Sequence, residues 1–592
     1  MNLLRLSALG LVAPNVARLI ALKTPDVVII AIYFTMVLGI GLYLKNYARS
    51  GKDFFLAGRE MTAWVAGLSF LSANLGAIEL MGWAASTYQY GILATHFYWI
   101  AAFPAMVFLG LVMMTFYYIS KTHSVPGYLK LRFGVASQAL SSISFAAMTV
   151  LMSGINMYAM AVVMHVVLGW NLNFSIWVSS VTVAAYVALG GLRSAIFNEV
   201  LQFFLIWAGA LLIPVLGLIE AGGWDGMKAK IVHNLTEMGA ANPGSYTHLW
   251  STLGDFSSNP MGINWVGMVF GLGVVIATGY WTTDFLVVQR VLAAKDLRSA
   301  ELAPIIGAGF KMLVPFIVIL PGLLALALLR DPSTGALIHL VPADLAWSPA
   351  GQAQGLHGYD EVLPLMLARY CGPGLLGLGI TALIAGFMSG MAGNVSAFST
   401  VWTYDIYGAL INKNATDASK VRMGRWCTLI GVAVSIGTAY IVMNAHSIMD
   451  YVQSLFSFFI APLFGTVLLG MLWKRATPAG GFWGLLSGTL TSVGMYFWVK
   501  FDPGAVKYVA LSMQAQDQAQ NMFRALWCWL VCIVVTVIVS LLTQPKPDSE
   551  LTGLVYGLTP IPHVGAVPFY KKPVFWGAIV MAAFIEINII FW

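Results

Sequence analysis

A single carboxylate, Glu79, interrupts an apolar stretch from Gly67 to Ser86 that is long enough to cross a membrane. A charge at that depth costs roughly 2.5–3.5 kcal/mol on insertion scales, so the residue is expected to face a protein-lined or watery cavity. Asn74, Gly76 and Gly82 bracket the acid with residues that loosen a helix. Broken helices near the bilayer midplane are where polar binding sites are assembled. The alternative is a carboxylate capped by neighbouring helices for packing alone. Other charges stand at the ends of apolar runs. Asp284, Arg290 and Asp405 are expected to form gate or structural ion pairs, and Asp450 to sit at a rim. Glu586 lies alone in the last apolar run.

The elements that must position these groups are transmembrane helices. The chain is 59% hydrophobic and 9% charged, against about 25% charged residues in a soluble domain, so it is expected to be an all-α integral membrane protein embedded in a lipid bilayer. Its net charge of +7 is a matter for individual loops, and no nucleic-acid partner is expected. Four cysteines suggest no disulfide framework, and no metal-ligand spacing such as HExxH or paired CxxC occurs. With about 20 apolar residues needed per crossing, the pattern predicts about fourteen spans: 26–46, 62–91, 95–120, 137–168, 172–190, 195–220, 262–289, 301–329, 373–405, 424–444, 447–473, 479–500, 522–543 and 574–592.

Lysine and arginine cluster after the odd-numbered spans, at Lys45 to Arg59, Lys121 to Arg132, Arg290 to Arg298, Lys413 to Arg425, and Lys474 and Arg475. By the positive-inside rule those loops are cytoplasmic and both termini external. The second span and the seventh, with Gly267, Gly271, Gly273 and Gly279, are both interrupted. They lie five spans apart and so run in opposite directions, which points to a five-plus-five inverted repeat with its site between two broken helices. The expected organisation is an external extension (1–24), a peripheral helix and loop (25–61), a first repeat (62–220), an external loop (221–261), a second repeat (262–473) and peripheral spans (474–592).

Five ordered blocks resemble the sodium:solute symporter family, and within it the sodium/glucose cotransporter branch. SVPGYLKLRFG (Ser124 to Gly134) is similar to the family's MPEYLRKRFG stretch. GGLRSAIFNEVLQ (Gly190 to Gln202), YWTTDFLVVQRVLAAKDL (Tyr280 to Leu297), STVWTYDIY (Ser399 to Tyr407) and the run from Asp450 to Gly484 each match a family block. The resemblance implies a LeuT-like fold and a solute site. Asn74 matches the family's broken-helix asparagine, Lys311 its site lysine, Gln453 its solute-contacting glutamine, and Tyr280 and Trp281 an aromatic pair beside the solute. Two positions depart from it. Glu79 stands where the sugar transporters carry histidine, and Tyr98 where they carry a sugar-binding glutamate. Glu79 and Lys311 are expected either to pair across the cavity or to hold the two ends of a polar solute.

The resemblance also implies a sodium site, with backbone carbonyls of Ser72 and Leu75 and ninth-span positions Gly386, Ser389 and Gly390. The family expects a second hydroxyl where this chain has Gly390, so the site is expected to be weakened unless water or the Ser72 side chain replaces it. Glu199 keeps a family carboxylate near that site and, with Asp284, is assigned to coupling or gating. No organic cofactor is implied. The expected function is secondary active transport, sodium-coupled symport of a small polar organic solute such as a sugar or polyol, at the plasma (inner) membrane. The alternatives are proton-coupled or ion-independent transport of a zwitterionic or cationic solute using Glu79, and a non-transporting sensor on the same fold. A sensor would need a cytoplasmic output domain, which no loop is large enough to hold. The chain carries no nucleophile–base pair, metal cluster or phosphate-cradling loop that would suggest an enzyme. In the last span, Glu586 is expected either to meet a partner helix or to lie near the hydrated interface.

Overall fold

A computed structural model of the chain describes residues 22–44, 59–330, 335–560 and 568–592. Most of the expected N-terminal extension, and the basic residues Lys45, Arg49 and Lys52, lie outside them. Apart from two-residue strands, Leu340–Val341 beside His357–Gly358, the described residues form helices and their connections. Among the described residues, eight helices are long and apolar enough to cross a membrane, or up to eleven when each of three bent pairs counts as one span.

The second span bends by 56° between Ala63–Asn74 and Ile78–Thr95. Thr62 starts it by accepting a hydrogen bond from the Val65 amide at 3.4 Å. Leu75 then leaves helical geometry (ψ 61°), and the chain resumes through a π-helical turn at Ile78–Gly82. Gly76 permits the crossing: a Cβ there would lie 3.3 Å from both the Gly386 carbonyl oxygen and the Gly390 Cα.

The seventh span bends by 49°, between Gly267–Thr283 and Phe285–Leu292. The discontinuity lies at Asp284 and not among the glycines, which stay helical, in a π-helix over Gly267–Ala277 and an α-helical turn over Thr278–Thr283. Asp284 adopts an extended backbone, and its carboxylate accepts the Leu286 amide at 2.8 Å. It caps a new helix and forms no ion pair among the described residues, contrary to the expectation from sequence. A third bend, of 47°, separates Leu297–Lys311 from Pro315–Leu328, so the described residues hold three broken helices where two were expected. Pro315 has no amide hydrogen to give the Lys311 carbonyl and crowds it sterically; the Val314 amide reaches that oxygen instead, at 3.2 Å.

Three further expectations are corrected. The fifth and sixth spans are not separated near residue 191, because one helix runs Leu172–Ala210 before Leu212–Ala221 follows. A pair of glycines with no proline or cap lowers helix stability without obliging a stop. The helices do not by themselves return fourteen spans. Asp450 is buried, not at an open rim; it accepts hydrogen bonds from Ser447 Oγ at 2.8 Å and Tyr90 at 3.4 Å. Glu586 is exposed on the last helix, Pro573–Ile590.

The connection before Ile448 is fastened by His446. Its Nδ1 lies 2.7 Å from Asp517 and its Nε2 3.6 Å from Asp344, while its carbonyl accepts the Ala343 amide at 2.7 Å. The hydrogen bond to Asp517, with Asp344 and Asp450 adding attraction, pushes the His446 pKa from 6.5 to about 9. A raised pKa favours the folded state below pH 6.5, and that contribution is lost as pH rises through about 9. Thermal unfolding of the detergent-solubilised protein from pH 6 to 10 is expected to show this falling limb, and His446→Gln to flatten it.

Candidate functional site

The second, third, seventh and eighth spans converge on one buried ion pair. Lys311 Nζ lies 2.5 Å from Glu79 Oε1, with the lysine side chain 1% and the glutamate 9% exposed. Lys311 also donates to Asn74 Oδ1 and stands over the rings of Tyr98 and Trp281, 4.8 and 5.2 Å from their centroids. The Tyr98 hydroxyl donates to Glu79 Oε1 at 2.7 Å. Asn74 Nδ2 donates to the Tyr280 hydroxyl at 2.9 Å. Each charge therefore meets an opposite charge and a dipole, which is what a pair withdrawn from water requires.

These side chains line an internal cavity of about 90 Å³ together with Gln453, Asn156, Asp284 and Gly390. All seven residues expected at a solute site thus border one space. Several of its open valences are acceptors. Gln453 Oε1 and Asn156 Oδ1 are buried without a hydrogen-bond partner. Both bonds to Glu79 use Oε1, leaving Oε2 with none among the described residues. The Tyr280 hydroxyl accepts from Asn74 and keeps its own proton to give.

The residues expected at the ion site meet behind this cavity. Ser389 Oγ donates to the Ser72 carbonyl at 2.8 Å, and the two seryl hydroxyls are 3.5 Å apart. Gly386 and Gly390 face the break in the second span at Leu75 and Gly76, and a Cβ on Gly386 would lie 3.4 Å from the Ala77 nitrogen. Glu199 stands apart from both groups. It forms a fully buried pair with Arg290 at 2.6 Å and accepts a hydrogen bond from Ser69. Asp405 is likewise buried but held by neutral donors, Ser124 Oγ at 2.5 Å and Gln138 Nε2 at 2.8 Å, and not by the ion pair expected of it.

Sequence reasoning passed over Asn156. It is a solitary amide in the apolar run of the fourth span, and the intramembrane-polarity test applied to Glu79 would have found it. Its neighbours, Gly76 and Gly390, are distant in sequence and give no local clue.

Comparison with known proteins returns a match of residues 54–488 to the model described as the sodium:solute symporter family. A human protein named sodium/glucose cotransporter 4 is 30% identical, covering 92% of this chain and 80% of that one. Its mouse counterpart is 29% identical over 91% and 78%. Among solved structures, a substrate-bound, outward-open Na+-coupled sialic acid symporter superposes with a TM-score of 0.68 at 19% identity, covering 89% of this chain and 99% of that one. At that identity the likeness shows the shared fold.

Because the pair is buried, removing one partner strands the other charge at a cost of about 3–5 kcal/mol. Lys311→Met and Glu79→Gln are each expected to lower the thermal unfolding midpoint clearly in detergent. The double variant is expected to regain most of the loss, giving a coupling energy that a double-mutant cycle reads directly.

Proposed function

The chain belongs to the sodium:solute symporter family, and from that premise we propose that it drives a neutral, hydroxyl-rich solute, a sugar or polyol, across the membrane with sodium. It is a multi-pass membrane transporter and not an enzyme. The observation that carries the solute class is the balance of the cavity. Lys311 neutralises Glu79, so neither is free to hold a solute charge alone, and Glu79 Oε2 and Gln453 Oε1 are left open as acceptors. A polyol offers donors to acceptors and apolar ring faces to Tyr280 and Trp281.

Ser72, Leu75, Gly386, Ser389 and Gly390 are assigned to sodium, a hard cation that takes oxygen ligands. Ion and solute would then share the broken second span, so that binding one shapes the site of the other. The buried Glu199–Arg290 pair serves as an inner latch between the sixth and seventh spans, and Asp284 fixes the seventh-span bend that the latch acts on. Proton coupling through Glu79 is the weaker reading, since that carboxylate is already engaged by Lys311 and Tyr98.

Proteoliposomes tested with labelled hexoses and polyols are expected to accumulate solute under an inward sodium gradient and not under a proton gradient alone. Gln453→Ala and Asn74→Ala are each expected to raise the half-saturating solute concentration about tenfold, the worth of a lost hydrogen bond in a buried site. Uptake driven equally well by protons in sodium-free buffer would overturn the proposal.

A further inference from the structure

Gly390 removes a side chain from the ninth span at the ion-site residues, and the structure shows what fills the space. A Cβ at position 390 would lie 2.8 Å from Asn156 Oδ1 and 3.3 Å from both Cγ and Nδ2 of the same amide. A seryl side chain there and the Asn156 carboxamide cannot both be accommodated without movement. The same oxygen would lie 3.4 Å from a Cβ on Gly76. It therefore stands at the junction of the broken second span with the ninth, projected from the fourth.

The amide is oriented with its oxygen unused. Asn156 Nδ2 donates to the Met152 carbonyl at 3.3 Å, while Oδ1 has no hydrogen-bond partner although the residue is 1% exposed. A buried acceptor left open in this way costs about 1–3 kcal/mol, and a packing role alone would be met by an apolar side chain at no such cost. Both Asn156 and Gly390 border the cavity. Ser389 Oγ and the Ser72 carbonyl, 2.8 Å apart, lie at the same helix junction.

We propose that Asn156 supplies the sodium-site oxygen that Gly390 lacks. The inference rests on the sodium-coupled reading above. Chemically, one neutral oxygen replaces another, so the charge of the ligand set is unchanged. The difference is the helix that provides it: the ion would bridge the second, fourth and ninth spans, tying the fourth span to ion occupancy.

The test uses the full-length protein in proteoliposomes, with the sodium concentration for half-maximal uptake as one readout. The other is the rise in unfolding temperature produced by NaCl over choline chloride without solute. Asn156→Ala is expected to raise half-saturating sodium about tenfold or more, as loss of one oxygen from a hard-cation shell does, while solute affinity at saturating sodium stays within about twofold. Gly390→Ser alone is expected to impair sodium response, because its side chain meets the amide. Asn156→Ala with Gly390→Ser is expected to recover most of the wild-type response by returning the oxygen to the ninth span. Asn156→Asp, nearly isosteric, keeps the question open to measurement if the alanine variant does not fold, and is expected to lower half-saturating sodium. An unchanged sodium response in the alanine variant, or in the aspartate variant if alanine does not fold, overturns the assignment. So does a loss confined to solute affinity, which would make Asn156 a solute contact. A wild-type protein indifferent to sodium in both readouts removes the sodium-coupled reading itself, whereas the other failures leave that reading standing.

Discussion

The Lys311–Glu79 pair is the constraint around which the cavity is arranged. Withdrawing either charge from water costs several kcal/mol, and mutual attraction repays this only with good geometry and satisfied hydrogen bonds. Here the satisfaction comes from three spans: Asn74 on the second, Tyr98 on the third, Tyr280 on the seventh, with the rings of Tyr98 and Trp281 facing the ammonium. Both halves of the inverted repeat contribute. A displacement of one half against the other must either carry the network along or break it, so the electrostatics of the pair and the mechanics of the fold are the same problem.

Glycine makes the convergence sterically possible. At Gly67 a Cβ would approach the Ala303 carbonyl oxygen to 2.7 Å, and at Gly110 the Glu301 carbonyl oxygen to 2.6 Å. The second and third spans thereby press backbone to backbone against the eighth, which carries Lys311. Small residues at helix contacts are the usual route to such proximity in membranes, where apolar side chains gain little from leaving lipid. On the other side of the second span, Gly76, Gly386 and Gly390 do the same for the ninth. The ninth span itself runs Leu375–Ile411, roughly 55 Å of helix against a hydrocarbon core of about 30 Å. Its site residues therefore sit well inside a continuous rod, while the second span bends to meet them.

What the sequence revealed follows from how local each signal is. Glu79 and Asn74 share one apolar run, so a misplaced charge and helix-loosening neighbours were visible together. The bend in the eighth span was equally local, at Pro315, but is hidden in a run whose hydropathy reads as one crossing. At the seventh span composition pointed to the glycines, whereas a single capping carboxylate, Asp284, decides where the helix restarts. Partner choice was legible only for Glu79 and Lys311, through the family resemblance. Asp405 finds Ser124 and Gln138, and Glu199 finds Arg290, each across more than 90 positions of chain. Such pairings are set by packing, and the order of residues does not encode them locally. Asn156 escaped notice for an energetic reason as well: a neutral amide in lipid costs less than a carboxylate and so stands out less.

The cavity's hydrogen-bond balance limits what can enter it. Lys311 is the cavity's cation, and its protons are directed to Glu79 and Asn74. A solute carboxylate would have to compete with Glu79 for that ammonium and would leave a buried carboxylate unpaired, the costly outcome for any ion pair. A hydroxyl-rich neutral solute needs no such exchange, since it can donate to Glu79 Oε2 and Gln453 Oε1 and accept from Tyr280 without disturbing the pair. A small cation close by is favoured by the same surplus of oxygen. On the proposed reading, solute and ion would both be met by acceptor oxygens, the solute by those beside a charge pair that is already neutral.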